Sequence, residues 1–376
     1  MAKGSGMLRG HRIVFVLGNL ELGGAERQAL LLARYLREHE GADVEVWGLT
    51  KPGPVADICA QLGIPSRVVP YPLLGISLDA NVNACQLLRD AKPDILLPYT
   101  LRPNVACGLI WQNTGARLCV WNQRDEGLQP VSPTLEGIAA RITPLLISNS
   151  AAGARFLKKL GVDPATVNVI PNGVALAPPE LDRRAWRERL AIDDRCFVAC
   201  MVANLHANKD HATLLRAWRH VVSKLESGGR EALLVLAGRR DGAYESLGAL
   251  AVALKIEDRV RFTGPVSDVS GLLGAVDVSV FSSRSEGCPN AVLESMAAGL
   301  PVAGTDIEGI REVVGPAAAG FLAAPGDAET LGTVLTRLAN DPQLCVEIGA
   351  QNRERVRNNY DSMRMCKETA ALLATI

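Results

Sequence analysis

Aromatic residues, net charge and long apolar runs are all scarce in this 376-residue sequence. The 40 Lys and Arg residues balance 40 Asp and Glu residues, so we expect no broad basic surface and no nucleic-acid partner. No apolar run reaches the roughly 18 residues that a membrane-spanning helix needs. Hydrophobic residues make up 48% and charged residues 21%, which indicates a globular chain and not a disordered one.

Cysteine spacing gives no sign of a metal or disulfide framework. None of the nine cysteines forms a C-x-x-C pair. Scattered thiols favour a reducing compartment, and the apolar run 13–17 is too short for a signal peptide. We therefore expect a cytoplasmic protein without a metal ion. Basic residues on two helical stretches could contact the inner membrane surface, although a solvated helix face is the favoured explanation for them: Arg34, Arg37, Arg155, Lys158 and Lys159.

What the sequence does contain is many glycines and short apolar runs that alternate with helical stretches. Residues 13–17 are typical of a strand buried on both faces. A Gly23-Gly24 loop follows, and 25–39 carries apolar residues at helical spacing. This alternation predicts a doubly wound parallel sheet, with further strands at 43–47, 94–98, 117–121 and 145–148.

The alternation stops at 169–173 and starts again after a charged, proline-bearing stretch at 177–189. In the second series, residues 210–225 place their apolar side chains on one helix face. The economical interpretation is two α/β domains joined by a hinge. The strands of the second series are expected at 197–203, 232–237, 260–263, 276–281 and 301–304.

The most informative segment follows the fourth strand of the second series. Pro289 stands where a helix could start and Gly299 where it would end. A helix start at the edge of a parallel sheet offers N–H groups to an anion, and Gly287 lets backbone approach it closely. Glu286 and Glu294 flank this start and can accept hydrogen bonds from hydroxyls. A sugar nucleotide has both kinds of group, but a capped helix with two solvated glutamates explains the local spacing equally well.

At this segment the sequence resembles the retaining glycosyltransferases of the GT-B fold, in the bacterial group 1 (family four). The family signature E-G-x-P-x-x-x-x-E-x-M-A-x-G-x-P-V is matched position by position at 286–302. Further blocks follow the family order, and the resemblance covers about residues 12–345. They are G-G-A-E at 23–26, V-I-P-N-G-V at 169–174, V-A-N-L-H-A-N-K-D-H-A-T-L-L-R-A at 202–217, F-T-G at 262–264, and 310–314.

The resemblance implies an α/β protein of the GT-B fold, with two Rossmann-like doubly wound domains facing across a cleft. Residues 1–174 would form an acceptor-binding domain and 175–355 a nucleotide-sugar-binding domain. A C-terminal helix over 356–376 could cross back to the first domain. The implied reaction moves a hexose-type sugar from a nucleoside diphosphate sugar, UDP-linked by preference, to a glycan or lipid-linked saccharide. It retains the anomeric configuration and uses no metal or other cofactor.

The resemblance also assigns roles to individual residues. Glu286 would lie against the donor sugar, Glu294 would bind the ribose hydroxyls, and Lys209 would neutralise the diphosphate as a point charge. Glu286 and Lys209 are thus the catalytic candidates. The other candidate donor contacts come from the two loops, the helix start and the segment after F-T-G, and are Gly23, Gly24, Val266, Asn290, Ala291 and Val292.

The sequence departs from the family pattern at two places. Where many members carry an Arg before the Lys, this chain has Asn204 and His206; His206 is either a phosphate ligand or a solvent-facing loop residue. Where many members carry a His in the first domain, this chain has 121–126 without one. Arg124 and Asp125 there are candidates for the acceptor side or for contacts with the donor sugar, with a structural ion pair as the alternative.

Two rival functions stay open from sequence alone. A sugar-nucleotide epimerase could use the same scaffold, although the paired glutamates argue against it. A catalytically silent sugar-nucleotide-binding subunit is compatible with the missing Arg and His. No Lys follows a Gly and 18–24 is not a G-x-G-x-x-G motif, so neither a Walker-type phosphate loop nor a dinucleotide fingerprint is present.

Overall fold

The computed structural model describes residues 6–72, 77–127 and 132–375, and the chain divides into two compact units. The first unit comprises Met1–Gly173 and Ser362–Ile376, and the second comprises Val174–Asp361. Each unit is built around its own parallel sheet, so the two series of predicted strands correspond to two separate sheets.

The first unit has a seven-stranded sheet in the order β3-β2-β1-β4-β5-β6-β7, and neighbouring strands in it run parallel. Ile13 of β1 pairs with β2 on one side and with β4 on the other. The strand order therefore reverses beside β1, as in doubly wound folds. The strands are β1 Arg12–Leu17, β2 Asp43–Gly48, β3 Ser66–Val68, β4 Ile95–Pro98, β5 Leu118–Gln123, β6 Leu145–Ser148 and β7 Val167–Val169.

Helices cover both faces of the first sheet, because a sheet buried on both sides needs an apolar helix face against each. Helix α1 continues as a π-helical turn over Leu36–Glu40, which accounts for the predicted helix at 25–39. The helices are α1 Gly24–Tyr35, α2 Pro54–Gln61, α3 Leu78–Ala91, α4 Leu101–Ile110, α5 Pro133–Ile142 and α6 Ala151–Lys159.

The second unit repeats this plan with six strands in the order β10-β9-β8-β11-β12-β13. These are β8 Phe197–Val202, β9 Ala232–Ala237, β10 Val260–Gly264, β11 Val278–Phe281, β12 Val302–Thr305 and β13 Leu322–Ala323. The helices are α7 Arg183–Leu190, α8 His211–Glu226, α9 Tyr244–Ala253, α10 Val269–Ala275, α11 Asn290–Ala297, α12 Glu308–Val314, α13 Ala328–Asn340 and α14 Pro342–Asn359. Among the described residues, no helix combines the length and apolar character needed to cross a membrane.

The side chains of β1 alternate between apolar clusters on the two faces of the sheet, as the two-residue period of a strand requires. Phe15 and Leu17 of β1 belong to one apolar cluster, whereas Val14 and Val16 belong to the cluster on the other face. Both sets are almost fully buried. A continuous apolar run therefore identifies a strand with helices on both sides, which is why the sequence predicts these central strands well.

The chain over 356–376 does not form one helix, although its last helix belongs to the first unit, to which the predicted helix could cross back. Helix α14 ends at Asn359, and a separate helix, α15, spans Ser362–Leu373 and packs into the apolar core of the first unit. Between them the chain forms a bridge, in which the Val174 N–H donates to the Tyr360 carbonyl at 2.8 Å. Asn358 and Asn359 are poor helix formers, so a helix break there costs little.

The three shortest strands were absent from the predicted set. Strands β3 and β7 have three residues each and β13 has two. Their pairing partners lie in neighbouring strands, as when Val46 of β2 pairs with Ser66 of β3. Such short segments have no periodicity of their own, and pairing in the tertiary structure defines them.

Most of the cysteines are buried. All nine cysteines lie among the described residues, and each is free of a disulfide bond. Cys196 and Cys200 face the same apolar cluster beside β8, and burial raises the pKa of Cys200 to about 12. Both thiols therefore stay protonated and pack as small apolar groups.

Candidate functional site

The candidate site lies at the carboxyl ends of β8 and β11, which are adjacent in the second sheet. The segment after β8 runs from Ala203 to Asp210, and the segment after β11 runs from Ser282 to Pro289. Parallel strands release their following loops at one common edge, so two segments distant in sequence meet there. Open α/β sheets usually bind their ligands at this edge.

The meeting point of the two segments is an ion pair between Lys209 and Glu286. Lys209 Nζ lies 2.5 Å from Glu286 Oε1, with side-chain exposures of 28% and 16%. The Ser283 hydroxyl donates to the same carboxylate oxygen at 2.6 Å. The carboxylate is therefore fixed from two sides, while the ammonium group stays partly open to solvent.

Four hydrogen bonds connect the two segments behind this ion pair. The Arg284 N–H donates to the Asn208 carbonyl at 2.9 Å, and Asn208 Nδ2 donates to the Ser285 carbonyl at 3.0 Å. The Ser282 hydroxyl donates to the Lys209 carbonyl at 2.8 Å. Arg284 Nε donates to Asp210 Oδ2 at 3.1 Å. The position of the ammonium group is thus set by backbone contacts, which sequence reasoning about Lys209 alone did not reveal.

Asp210 connects the site to helix α8. It has a φ of 46°, in the left-handed region, and its side chain caps the helix by accepting the Thr213 N–H at 3.4 Å. The Thr213 hydroxyl donates to the same carboxylate at 2.9 Å. Asp tolerates this backbone conformation better than most residues do. The tight turn that results lets β8 pass into α8 with Lys209 directly at the sheet edge.

His211, the first residue of α8, is buried and has an unusual environment. Neither ring nitrogen has a hydrogen-bond partner in the described part of the chain. Burial, with a further contribution from Lys209, lowers the pKa of His211 to about 4. The imidazole is therefore neutral near pH 7. No group of three or more metal-ligating side chains exists among the residues that the structure describes.

Helix α11 begins at the same edge, directly after the second segment. Its N-cap residue is Pro289, and within the described ranges no side chain caps the helix start. The first backbone N–H groups of a helix have no partner inside the helix, so those of Asn290, Ala291 and Val292 mark an electropositive end. Glu294 lies in the second turn and is partly buried. The helix start and Lys209 therefore place two sources of positive potential at one sheet edge.

Gly309, in α12, lies directly against the backbone of the second segment at Glu286 and Gly287. A Cβ atom at this position would lie 2.0 Å from the Glu286 carbonyl oxygen and 2.4 Å from that of Gly287. Helix α12 can approach the segment only because residue 309 has no side chain. Sequence reasoning missed Gly309, although a glycine immediately before the predicted 310–314 block was a usable signal.

Three further predicted residues lie along the same edge but outside the ion pair. Asn204 Oδ1 accepts the Arg239 N–H at 3.1 Å, which connects the ends of β8 and β9. His206 is exposed, and its Nδ1 accepts the Asn208 N–H at 3.2 Å. Val266 follows β10, is partly buried and packs against the apolar cluster that contains Cys196 and Cys200. Because β9 lies between β10 and β8, no contact joins Val266 to the ion pair within the described residues.

The predicted glycines of the first unit lie at the start of α1. Gly23 is the N-cap residue and Gly24, which is exposed, is the first helical residue. A Cβ atom on Gly23 would lie 2.6 Å from Glu26 Oε2. Gln28, one turn further, exchanges two hydrogen bonds with the backbone of Gly173, at 2.9 and 3.1 Å. These two bonds hold Gly173, the last residue of the Met1–Gly173 segment, against α1.

Arg124 and Asp125 follow β5 in the first unit, and the structural ion pair considered for them is wrong. Arg124 donates to Asn172 and Asn122, each at 3.1 Å, and in the described chain it makes no ion pair with Asp125. The Asp125 carboxylate instead accepts the Gly127 N–H at 2.7 Å and closes a turn. Burial raises the pKa of Asp125 above its usual value.

Two family models match this chain in succession. The model described as "Glycosyltransferase Family 4" matches residues 22–177, and the model described as "Glycosyl transferases group 1" matches residues 182–355. The first range lies in the first unit apart from its last residues, and the second range lies within the second unit. The second range includes Lys209, Glu286 and Glu294.

Curated relatives match over part of their length. The chain is 33% identical over 175 residues to the putative glycosyltransferase EpsD of Bacillus subtilis (strain 168), covering 46% of this chain and 44% of that protein. It is 26% identical over 234 residues to the Escherichia coli UDP-Gal:alpha-D-GlcNAc-diphosphoundecaprenol alpha-1,3-galactosyltransferase, covering 61% of this chain and 60% of the relative. The chain thus spans about half the length of these two relatives.

The fold is similar to that of solved structures along nearly the whole chain. Anabaena Alr3699/HepE, solved in complex with UDP-glucose, superimposes with a TM-score of 0.84 at 21% identity. The match covers 97% of this chain and all of that one. At this identity the comparison establishes the fold: two Rossmann-like parallel-sheet units in one chain, the GT-B architecture.

Proposed function

The chain belongs to the group 1 (family 4) glycosyltransferases of the GT-B fold, and from this premise we propose that it transfers a hexose-type sugar from a nucleoside diphosphate sugar to a glycan or lipid-linked saccharide. UDP is the nucleotide we favour, because the E. coli relative is named for UDP-Gal and the Anabaena structure contains UDP-glucose. The observation that carries the proposal is the Lys209–Glu286 pair beside the start of α11.

In this proposal Lys209 and the start of α11 bind the donor's diphosphate. Lys209 would exchange its contact with Glu286 for one with phosphate oxygens, because its ammonium group is already held at the sheet edge and partly exposed. Backbone N–H groups of Asn290, Ala291 and Val292 would bind the same oxygens or the sugar hydroxyls. Positive charge fixed before the reaction stabilises the leaving diphosphate without reorganisation. The proposal assigns this role to no metal ion.

The two glutamates would bind hydroxyl groups of the donor. Glu286 would accept from the transferred sugar, and Glu294, farther along α11, from the ribose. Val266 is proposed to contact the base through its backbone, while Asn204 and His206 shape the phosphate side of the edge. Gly23 and Gly24, in the first unit, would allow close backbone approach to the leaving phosphate.

We propose that the anomeric configuration is retained by attack on the same face from which the diphosphate leaves. The leaving diphosphate would take the acceptor's proton as the new glycosidic bond forms. Glu286 accepts the Ser283 hydroxyl and is proposed to orient the sugar through its hydroxyls, so it is not assigned as a covalent nucleophile. The carboxylate therefore needs only to hold hydroxyls in place.

The acceptor is assigned to the first unit, with Arg124 and Asp125 on its side of the reaction. We also propose that the protein works in the cytoplasm and contacts the inner membrane surface peripherally. Arg155, Lys158 and Lys159 are exposed on α6 and could face anionic lipid. Co-sedimentation with vesicles containing anionic lipid checks this contact. Binding that persists after all three residues are replaced by Gln would contradict it.

The test of the proposed function is an incubation with UDP-sugars, with and without lipid-linked saccharide acceptors. UDP release that depends on the acceptor supports the transferase. An isomerised donor would instead indicate an epimerase, and binding without turnover a silent binding subunit. Nuclear magnetic resonance of the product's anomeric centre then reports retention or inversion, and the same assay after chelation reports any requirement for a metal.

A further inference from the structure

Arg124, directly after β5, is a cation of the first unit that has no acidic partner among the described residues. Its guanidinium donates to Asn122 and Asn172 and lies 4.5 Å from the centroid of the Tyr99 ring. All three partners are neutral. A half-buried cation without an opposite charge is costly, so such an arrangement is usually completed by a ligand or by solvent.

One donor of this guanidinium is unsatisfied. Arg124 Nε is buried and has no hydrogen-bond partner in the part of the chain that the structure describes. The neighbouring Asp125 does not satisfy it, because its carboxylate accepts from Gly127 and Gln123 to close the following turn. Arg124 is thus oriented by neutral groups while its charge stays uncompensated.

The surroundings of Arg124 have the form of a ligand site at a sheet edge. Asn122 is the last but one residue of β5, Tyr99 follows β4 and Asn172 follows β7, so these groups all lie at the carboxyl edge of the first sheet. Thr100, next to Tyr99, has a φ of 71°. A β-branched residue in the left-handed region is strained, and such strain is retained mainly at functional sites.

We propose that Arg124 is a specificity-determining residue that binds an oxyanion, a phosphate or carboxylate group, on the substrate portion that docks at the first unit. This inference rests on the proposed function and narrows the substrate class to charged sugars or charged acceptors. A guanidinium held by two amides and an aromatic ring is pre-organised for an anion, which it can bind through two parallel N–H bonds.

The test uses the full-length protein saturated with UDP, so that the diphosphate site of the second unit is filled. Inorganic phosphate is then titrated while the Arg124 Nε–H resonance is followed, after its assignment from the spectrum of Arg124→Lys. We expect a saturable shift at millimolar phosphate and no shift with glucose. Arg124→Gln should weaken phosphate binding by roughly 10- to 100-fold.

The matched control is Arg117→Gln. Arg117 is exposed just before β5, at the opposite end of the same strand from Arg124, and its side chain has no partner among the described residues. This variant removes the same charge from the same unit. It should leave the phosphate affinity unchanged.

Two further titrations identify the source of the oxyanion. If the donor sugar supplies it, Arg124→Gln should weaken binding of UDP-glucuronate and leave UDP-glucose unaffected. If the acceptor supplies it, glucose 1-phosphate should shift the Arg124 resonance in the presence of UDP. Either result supports the inference.

An Arg124 Nε–H resonance that neither phosphate nor the two charged sugars move would overturn it. That readout uses the unaltered protein, so it holds even if Arg124→Gln is poorly folded. UDP binding is measured first in the same sample, so a failure of the proposed donor site is recognised separately. In that event the phosphate titration is repeated without UDP and still decides the role of Arg124.

Discussion

Replacing Lys209 by Met is the most direct perturbation of the proposed site. Met keeps the length and the apolar stem of Lys but removes the charge that lies 2.5 Å from Glu286. Two unit charges about 4 Å apart attract by about 4 kcal/mol at an effective dielectric constant of 20. Lys209 is 28% exposed, so we expect about 2–4 kcal/mol of lost transition-state stabilisation. That corresponds to a roughly 30- to 1000-fold decrease in kcat/KM.

The stability of the variant should change far less than its activity. The Lys209–Glu286 pair is partly exposed, and such pairs contribute about 0–1 kcal/mol to folding. The assay is acceptor-dependent UDP release at several donor concentrations, with thermal unfolding measured in parallel. Lys224→Met, an exposed site on α8, serves as the matched control and should retain full activity.

The reasoning would be refuted if Lys209→Met kept kcat/KM within about threefold of the unaltered protein. A loss of activity that merely followed a loss of thermal stability would refute it as well. Lys209→Arg gives a further check, because a guanidinium restores charge but not the compact shape of the ammonium group. We expect it to recover part of the activity.

Three other perturbations test separate parts of the site. Glu294→Ala should weaken UDP binding by about 1.5–3 kcal/mol, the worth of hydrogen bonds to a charged group, as measured by calorimetry. Gly309→Ala should destabilise the second unit by about 1–3 kcal/mol and reduce turnover, because the added methyl group meets backbone carbonyls, 2.0 Å away at the nearest. His211 should make unfolding pH-dependent. Its folded pKa of about 4 is below the usual histidine pKa of about 6.5, so stability is lost as pH falls from 6.5 towards 4, by up to about 3 kcal/mol. Denaturant unfolding of the protein and of His211→Gln across this range measures the difference.

Each of these has a control within the same unit. Glu257→Ala removes an exposed carboxylate before β10 and should leave UDP affinity unchanged. Gly320→Ala adds a methyl group where no atom lies within 4 Å, so stability should be nearly unaffected. For His211, equal pH dependence of the protein and the Gln variant between pH 4 and 6.5 would show that the buried imidazole is not responsible.

The sequence predicted the central strands and the helices between them, because both depend on local patterns. A continuous apolar run such as β1 or β9 indicates a strand covered on both faces, whatever the rest of the chain does. The Pro289 helix start is also a local signal. The residue choices that place a helix start at the edge of a sheet could therefore be identified without coordinates.

Contacts between distant residues could not be derived in this way. Lys209 and Glu286 are 77 positions apart in the sequence, and nothing in the residues around either one shows that the two side chains meet. The same limit explains two errors. The ion pair considered for Arg124 and Asp125 assumed that neighbours in sequence face each other, and the helix over 356–376 ignored the bridge that interrupts it.

By itself, then, the sequence determined two parallel-sheet units and the chemical character of one sheet edge. Only the tertiary structure decided which groups share that edge, how Gly309 supports the Glu286 backbone and that Arg124 has neutral partners among the described residues. The physical reason is that helix and strand formation depend on side chains a few residues apart. Burial, ion pairing and close backbone approach depend instead on segments that meet only when the sheet has formed.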